Sequence, residues 1–153
     1  MNPASAGGHK YIIVAIDYFT KLAEAMPTFR ADGETTAFFV FNQIIARFGI
    51  PKVIVTDHGS HFQNNMMMEL TTMLRFRQEH SSSYYLQANG KVEAVNKTLK
   101  TILKHTIDAA RSNWHIMLYP ALVSFDLIHR SLSCFVHLQG TAAMLCTRSS
   151  ATT

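Results

Sequence analysis

Two acidic residues stand where chemistry could be done. Asp57 follows the apolar run Lys52-Val-Ile-Val-Thr56 and opens the polar turn Asp57-His-Gly-Ser60. That run reads as a short buried strand, and a carboxylate at the carboxyl end of a strand sits where α/β folds usually place ligands. Glu93 is followed by Lys97, Lys100 and Lys104 at helical spacing, so a carboxylate heads a stripe of three lysines on one face. An acid beside a basic stripe suits metal-dependent chemistry on a phosphate backbone. An ordinary solvated face with a Glu93–Lys97 pair has the same spacing, so the helix alone does not choose between the two.

The elements that must position these residues follow from pattern. Tyr11-Ile-Ile-Val-Ala-Ile16 predicts a strand buried on both faces, and Leu22-Ala-Glu-Ala-Met26 its hairpin partner, ended by Pro27. Residues 33–48 predict a helix, with Phe38, Phe41, Ile45 and Phe48 at helical spacing and a stop at Gly49 and Pro51. The Met-rich stretch 64–74 predicts a further helix whose methionines are core packing. Residues 81–90 predict a polar loop carrying Tyr84 and Tyr85. A long helix is expected from about Lys91 to Arg111, with Val92, Val95, Leu99, Ile102, Leu103 and Thr106 facing the core. A last helix begins near Asn113-Trp114 and runs to about Asp126, where periodicity fades.

A chain of 153 residues that is 48% hydrophobic can bury one real core and is too short to promise two domains. Its formal charge of +4 is compatible with a polyanionic partner but is weak support by itself. Cys134 and Cys146 form no CxxC pattern, which argues against a zinc ribbon or a disulfide framework and for a reducing compartment. The first residues lack a basic signal-peptide region and the apolar run at 11–16 is too short to span a bilayer, so a soluble, intracellular protein without a membrane partner is expected.

Between Asp57 and Glu93 lie 35 residues. With that spacing, Thr56-Asp57-His-Gly-Ser-His-Phe62 and Tyr84-Tyr-Leu-Gln-Ala-Asn-Gly-Lys-Val-Glu-Ala-Val-Asn-Lys97 closely resemble the second and third parts of the D,D-35-E motif of integrases. Upstream, Tyr11-Ile-Ile-Val-Ala-Ile-Asp-Tyr-Phe-Thr-Lys-Leu-Ala-Glu-Ala25 resembles the second-strand hairpin of gypsy-class LTR retrotransposon integrases, so the resemblance covers about residues 2–125. It implies an α/β, ribonuclease H-like fold with a mixed sheet flanked by helices. It also implies that Asp57 and Glu93 are two of three carboxylates holding Mg²⁺ or Mn²⁺, hard cations that prefer oxygen. Lys97, Lys100, Lys104, Asn96, Asn89 and Tyr84 match positions implied to contact DNA, with Asn89 and Tyr84 on a mobile loop before the catalytic helix. Implied partners are retroelement ends, target DNA and further copies of the chain, in the nucleus.

The departures carry expectations too. The family's first catalytic aspartate lies on a first strand, ahead of the segment that here reads Asn2-Pro-Ala-Ser-Ala-Gly-Gly-His-Lys10. That strand is therefore expected to be missing, leaving unpaired backbone on its neighbours. Asp17 would complete a nominal D,D,E set but belongs by resemblance to the second-strand turn, so a structural role is expected. His58 and His61 stand where the family has amides, and Leu86 where it usually has proline. After Phe125 the match is lost. This divides the chain into a core-like domain at 1–126 and a divergent tail at 127–153 with no assignable domain. The functional expectation is an integrase core fragment, DNA-binding and ancestrally a polynucleotidyl transferase. The alternatives are an inactive nucleic-acid-binding remnant, or a residue of a domain that no longer folds or binds.

Overall fold

A computed structural model describes residues 4–17, 20–56, 59–80, 86–129 and 141–148. Its centre is strand β1 (Tyr11–Asp17), in which Ile12 to Asp17 are all buried. Side chains alternate across a strand, and here both faces are covered. Ile12, Val14 and Ile16 pack with Leu99, Leu103, Trp114, Leu118, Leu122 and Phe125 on one side. On the other, Ile13 and Ala15 meet Phe39, Val40, Ile44, Phe62, Met67 and Phe76. Truncating a fully buried member such as Ile13 to Ala would cost about 2–5 kcal/mol.

The partner strand β2 (Ala23–Thr28) runs antiparallel to β1 and includes Pro27, which pairs with Ile12. The expected stop at Pro27 is therefore corrected. β2 lies at the edge of the sheet, where a residue without an N–H is tolerated. Helix α1 (Gly33–Phe39), a π-helical stretch (Val40–Ile45) and α2 (Ala46–Phe48) form one helical run, capped at its start by the Asp32 carboxylate and ended by Gly49 at φ 94°. The wider π turn shifts the apolar face from the one the spacing predicts. Phe39, Val40 and Ile44 are buried, whereas Phe38 and Phe41 are exposed.

Strand β3 (Val53–Thr56) forms where expected, and α3 (Asn65–Leu74) starts under an Asn64 cap whose side chain accepts from the Met67 N–H at 3.0 Å. Of its methionines only Met67 is core; Met66, Met68 and Met73 are exposed, which corrects the expectation of plain core packing. Strand β4 (Arg77–His80) was not legible in the pattern. Helix α4 (Leu86–Ala110) starts earlier than the loop chemistry suggested, and α5 (Trp114–His129) runs past 126.

The sheet is mixed and five-stranded, in the order β2-β1-β5-β3-β4. No described strand precedes β1. Its backbone is nevertheless paired on both sides, because β5 (Thr141–Arg148) lies antiparallel to β1 and parallel to β3. The expectation of unpaired neighbours is thus overturned, and the strand comes from beyond residue 126. Helices on both faces complete an α/β architecture of the ribonuclease H type.

Candidate active site

The turn after β3 is fastened from both sides. The Gln78 side-chain amide donates to the Thr56 hydroxyl at 3.2 Å and to the Phe62 carbonyl at 2.9 Å, so one side chain brackets residues 57–61. His80 Nδ1 lies 3.2 Å from the same hydroxyl. Thr56 is 1% exposed, and a buried hydroxyl held this way gives the chain just before Asp57 a fixed position. Further on, Asn64 donates to the His61 carbonyl at 2.8 Å while capping α3. Gly33 leaves room for that side chain; a Cβ there would collide with the Asn64 amide. Sequence reasoning missed Gln78, His80 and Asn64, because their roles depend on β4 and α3 lying beside the turn. The Asn-capped start of α3 was the one available signal.

Asp17 is committed elsewhere. It is 8% exposed, and its carboxylate accepts from the Thr20 N–H at 2.7 Å. Its backbone carbonyl accepts from Lys21, which sits at φ 61°. This is an Asx-type turn closing the β1–β2 hairpin, in agreement with the structural role expected for it. Nearby, Glu24 pairs with Arg47 at 2.6 Å. Burial pushes the Glu24 carboxyl above its ordinary range, and the Arg47 guanidinium offsets part of that rise.

Helix α4 buries Leu99 and Leu103 against β1, with Ile102 packed beside them. At about 100° per residue, positions 93, 97, 100 and 104 fall within about 60° of arc, on the side away from those leucines. Lys97 and Lys104 are exposed, as a solvent-facing basic stripe requires. Asn89 lies inside α4, not in a loop before it, which corrects its expected location. Leu86 is the first residue of this helix, where the backbone N–H has no intrahelical partner and proline would serve as well.

Asp57, His58 and Tyr84 fall outside the described residues, as do the side chains of Asn89, Glu93, Asn96 and Lys100. Among the described residues no three His, Cys, Asp or Glu side chains gather into a metal-binding group, and no helix is long and apolar enough to cross a membrane.

Comparison with known proteins decides the lineage. Residues 1–85 match the family model described as the integrase core domain. The chain belongs to the integrase core domain family. Over 117 residues it is 33% identical to the Gag-Pol polyproteins of baboon endogenous virus and of woolly monkey sarcoma virus. These alignments take in 76% of the chain and only 7% of either polyprotein. In three dimensions this integrase core domain resembles a chain of the simian T-cell lymphotropic virus intasome, solved in complex with a PP2A regulatory subunit. The TM-score is 0.60 at 23% identity, covering 90% of this chain and 48% of that one. At that identity the likeness speaks for the fold.

Proposed function

We propose that this integrase core domain acts on DNA as part of a gypsy-class LTR retroelement integrase of the D,D-35-E type, with metal-dependent polynucleotidyl transfer as its ancestral chemistry. The observation that carries the reading is the brace of Thr56, Gln78 and Phe62 around residues 57–61, which anchors the chain on both sides of Asp57. Asp57 and Glu93 offer oxygen donors of the kind Mg²⁺ or Mn²⁺ prefers. A bound divalent ion would supply nucleophile activation and stabilise charge on the scissile phosphate. The chain's own residues do the rest. Lys97, Lys100 and Lys104 neutralise phosphates along about 10 Å of α4. Asn89 and Asn96 add polar contacts along the same helix, and Tyr84 offers an aromatic face to a base. The partners in this reading are retroelement ends and target DNA, met in the nucleus by more than one copy of the chain.

A second reading, an inactive DNA-binding remnant, is favoured for these 153 residues by one specific observation. The strand beside β3 is Thr-Ala-Ala-Met-Leu-Cys-Thr-Arg, which brings no carboxylate, and Asp17 is held in its turn. The two readings share DNA binding, which is tested by measuring affinity against salt for the chain and for a variant with Lys97, Lys100 and Lys104 all changed to Ala. Each phosphate contact contributes about 0.9 to the logarithmic salt slope, so the variant's slope should fall by about 2 to 3. An unchanged slope and affinity would reduce the stripe to a solvated face.

A further inference from the structure

Two imidazoles and the only tryptophan of the chain share one corner beside the start of β1. The ring centroids of His9 and His115 stand 5.0 Å apart, and Trp114 meets them edge-on at 6.4 and 6.3 Å. Backbone bonds fix the two carriers. The Ser5 N–H donates to the His9 carbonyl at 2.9 Å and closes a turn, and the Ala6 N–H donates to the Ser112 carbonyl, tying that turn to the segment leading into α5. His9 also stacks on Phe29 at 4.3 Å, and the Ser5 hydroxyl lies 3.0 Å from its Nδ1. On His115, Nδ1 is buried and has no hydrogen-bond partner among the described residues. The rings converge beside Gly7, where a Cβ would lie 3.0 Å from His9 Nδ1 and Cε1 and 3.3 Å from His115 Nε2. Glycine keeps that space clear.

We propose that His9 and His115 form a binding site for a transition ion of the Zn²⁺, Ni²⁺ or Cu²⁺ class. Imidazole nitrogen suits these ions, whereas Mg²⁺ and Mn²⁺ take oxygen. Two imidazoles on one tetrahedral ion, with metal–nitrogen bonds of about 2.0–2.1 Å, hold their ring centres about 5 Å apart. The pair already stands at that separation. The Ser5 hydroxyl can accept the Nδ1–H of His9, the kind of outer-shell bond that leaves the other ring nitrogen to the metal. Burial, with His115 adding to it, keeps the His9 pKa below 6.5, so at neutral pH its ring retains a lone pair. Two protein ligands leave the remaining positions to water or to an incoming donor. The site uses neither Asp57 nor Glu93 and does not depend on the functional reading.

The test is Cu²⁺ titration of the full chain in excess Mg²⁺, followed by the fluorescence of Trp114. A paramagnetic ion held between His9 and His115 lies close enough to that indole to quench it. Quenching should saturate, and Zn²⁺, which is diamagnetic, should reverse it by competition. His9→Gln and His115→Gln should each weaken the affinity by about tenfold or more, since even the loss of an outer-shell partner costs that much. Circular dichroism checks that each variant is folded. Gly7→Ala keeps both ligands and crowds the space between them, so it should weaken binding even if an imidazole proves necessary for folding. Absence of saturable quenching in the unmodified chain would overturn the proposal. So would parental affinity in a folded His9→Gln or His115→Gln chain, or in Gly7→Ala.

Discussion

Asp17 and Ile54 occupy one row of the sheet, joined through Ala142 of β5. β1 and β3 run in opposite directions, so Asp17 lies level with the beginning of β3, two rows behind Thr56. A carboxylate there is separated from Thr56 by two strand spacings of about 4.8 Å and by about 7 Å along the strands. Its partner, the Thr20 N–H, is local.

Replacing Asp17 should accordingly affect folding and leave divalent-ion affinity alone. Asp17→Ala strands the Thr20 donor and should lower unfolding free energy by about 1–3 kcal/mol, whereas Asp17→Asn keeps an acceptor and should cost less. Urea unfolding beside Mn²⁺ titration checks both statements. A loss of Mn²⁺ affinity in a folded Asp17→Asn protein would show that the aspartate serves the site.

Gln78→Leu removes both bonds of the brace around residues 57–61. The expected loss is about 1–3 kcal/mol, at roughly 1 kcal/mol for each bond. Amide exchange at Phe62 and Gln63 should quicken while β1 stays protected. Uniform acceleration across the sheet would mean that Gln78 serves the whole fold and not the turn.

Gly33→Ala drives a Cβ into the Asn64 side chain, which caps α3 and holds the His61 carbonyl. Overpacking of this kind costs about 1–3 kcal/mol. Because the clash is with one side chain, Asn64→Gly should recover part of the loss despite the weaker cap, a coupling visible in a double-mutant cycle.

His9 predicts the acid side of the stability curve. Burial, helped by the neighbouring His115, holds its pKa below the ordinary 6.5. The Ser5 hydroxyl lies 3.0 Å from Nδ1 and the ring stacks on Phe29 at 4.3 Å. Since the unfolded chain takes up the proton first, stability should fall as pH drops through the window below 6.5 and recover above it. Glu24 works in the opposite sense: its raised pKa means that stability declines as pH rises from about 4.5 through the folded value. Denaturant midpoints between pH 4 and 8 for the chain and His9→Gln check the sign, the variant giving the shallower acid slope.

Much of the fold was legible because period and punctuation agreed. The β-branched run at 11–16, the Gly49 stop and the Leu99–Leu103 face each follow from local rules, and each formed. What failed depended on neighbours. Pro27 remains in a strand because β2 is an edge, and Phe38 and Phe41 face solvent because a π turn re-phases the helix. β4 and β5 lack alternation and are strands only through the partners they meet. Likewise Asp57 and Glu93 could be singled out by spacing, whereas Gln78 and His80 became visible only when β4 lay against β3.

In the proposed reading of an inactive remnant, these 153 residues bind DNA and do not turn it over. β5 brings no carboxylate and Asp17 is held in its own turn, so neither adds an acidic donor to Asp57 and Glu93. The most direct measurement is oligonucleotide cleavage and joining in Mg²⁺ or Mn²⁺ by the chain, by Asp57→Asn, and by a version carrying a family-like first strand that must displace β5. The expected result is DNA binding without turnover in the first two and activity only in the third. Divalent-dependent cleavage by the unmodified chain, lost in Asp57→Asn, would contradict the claim.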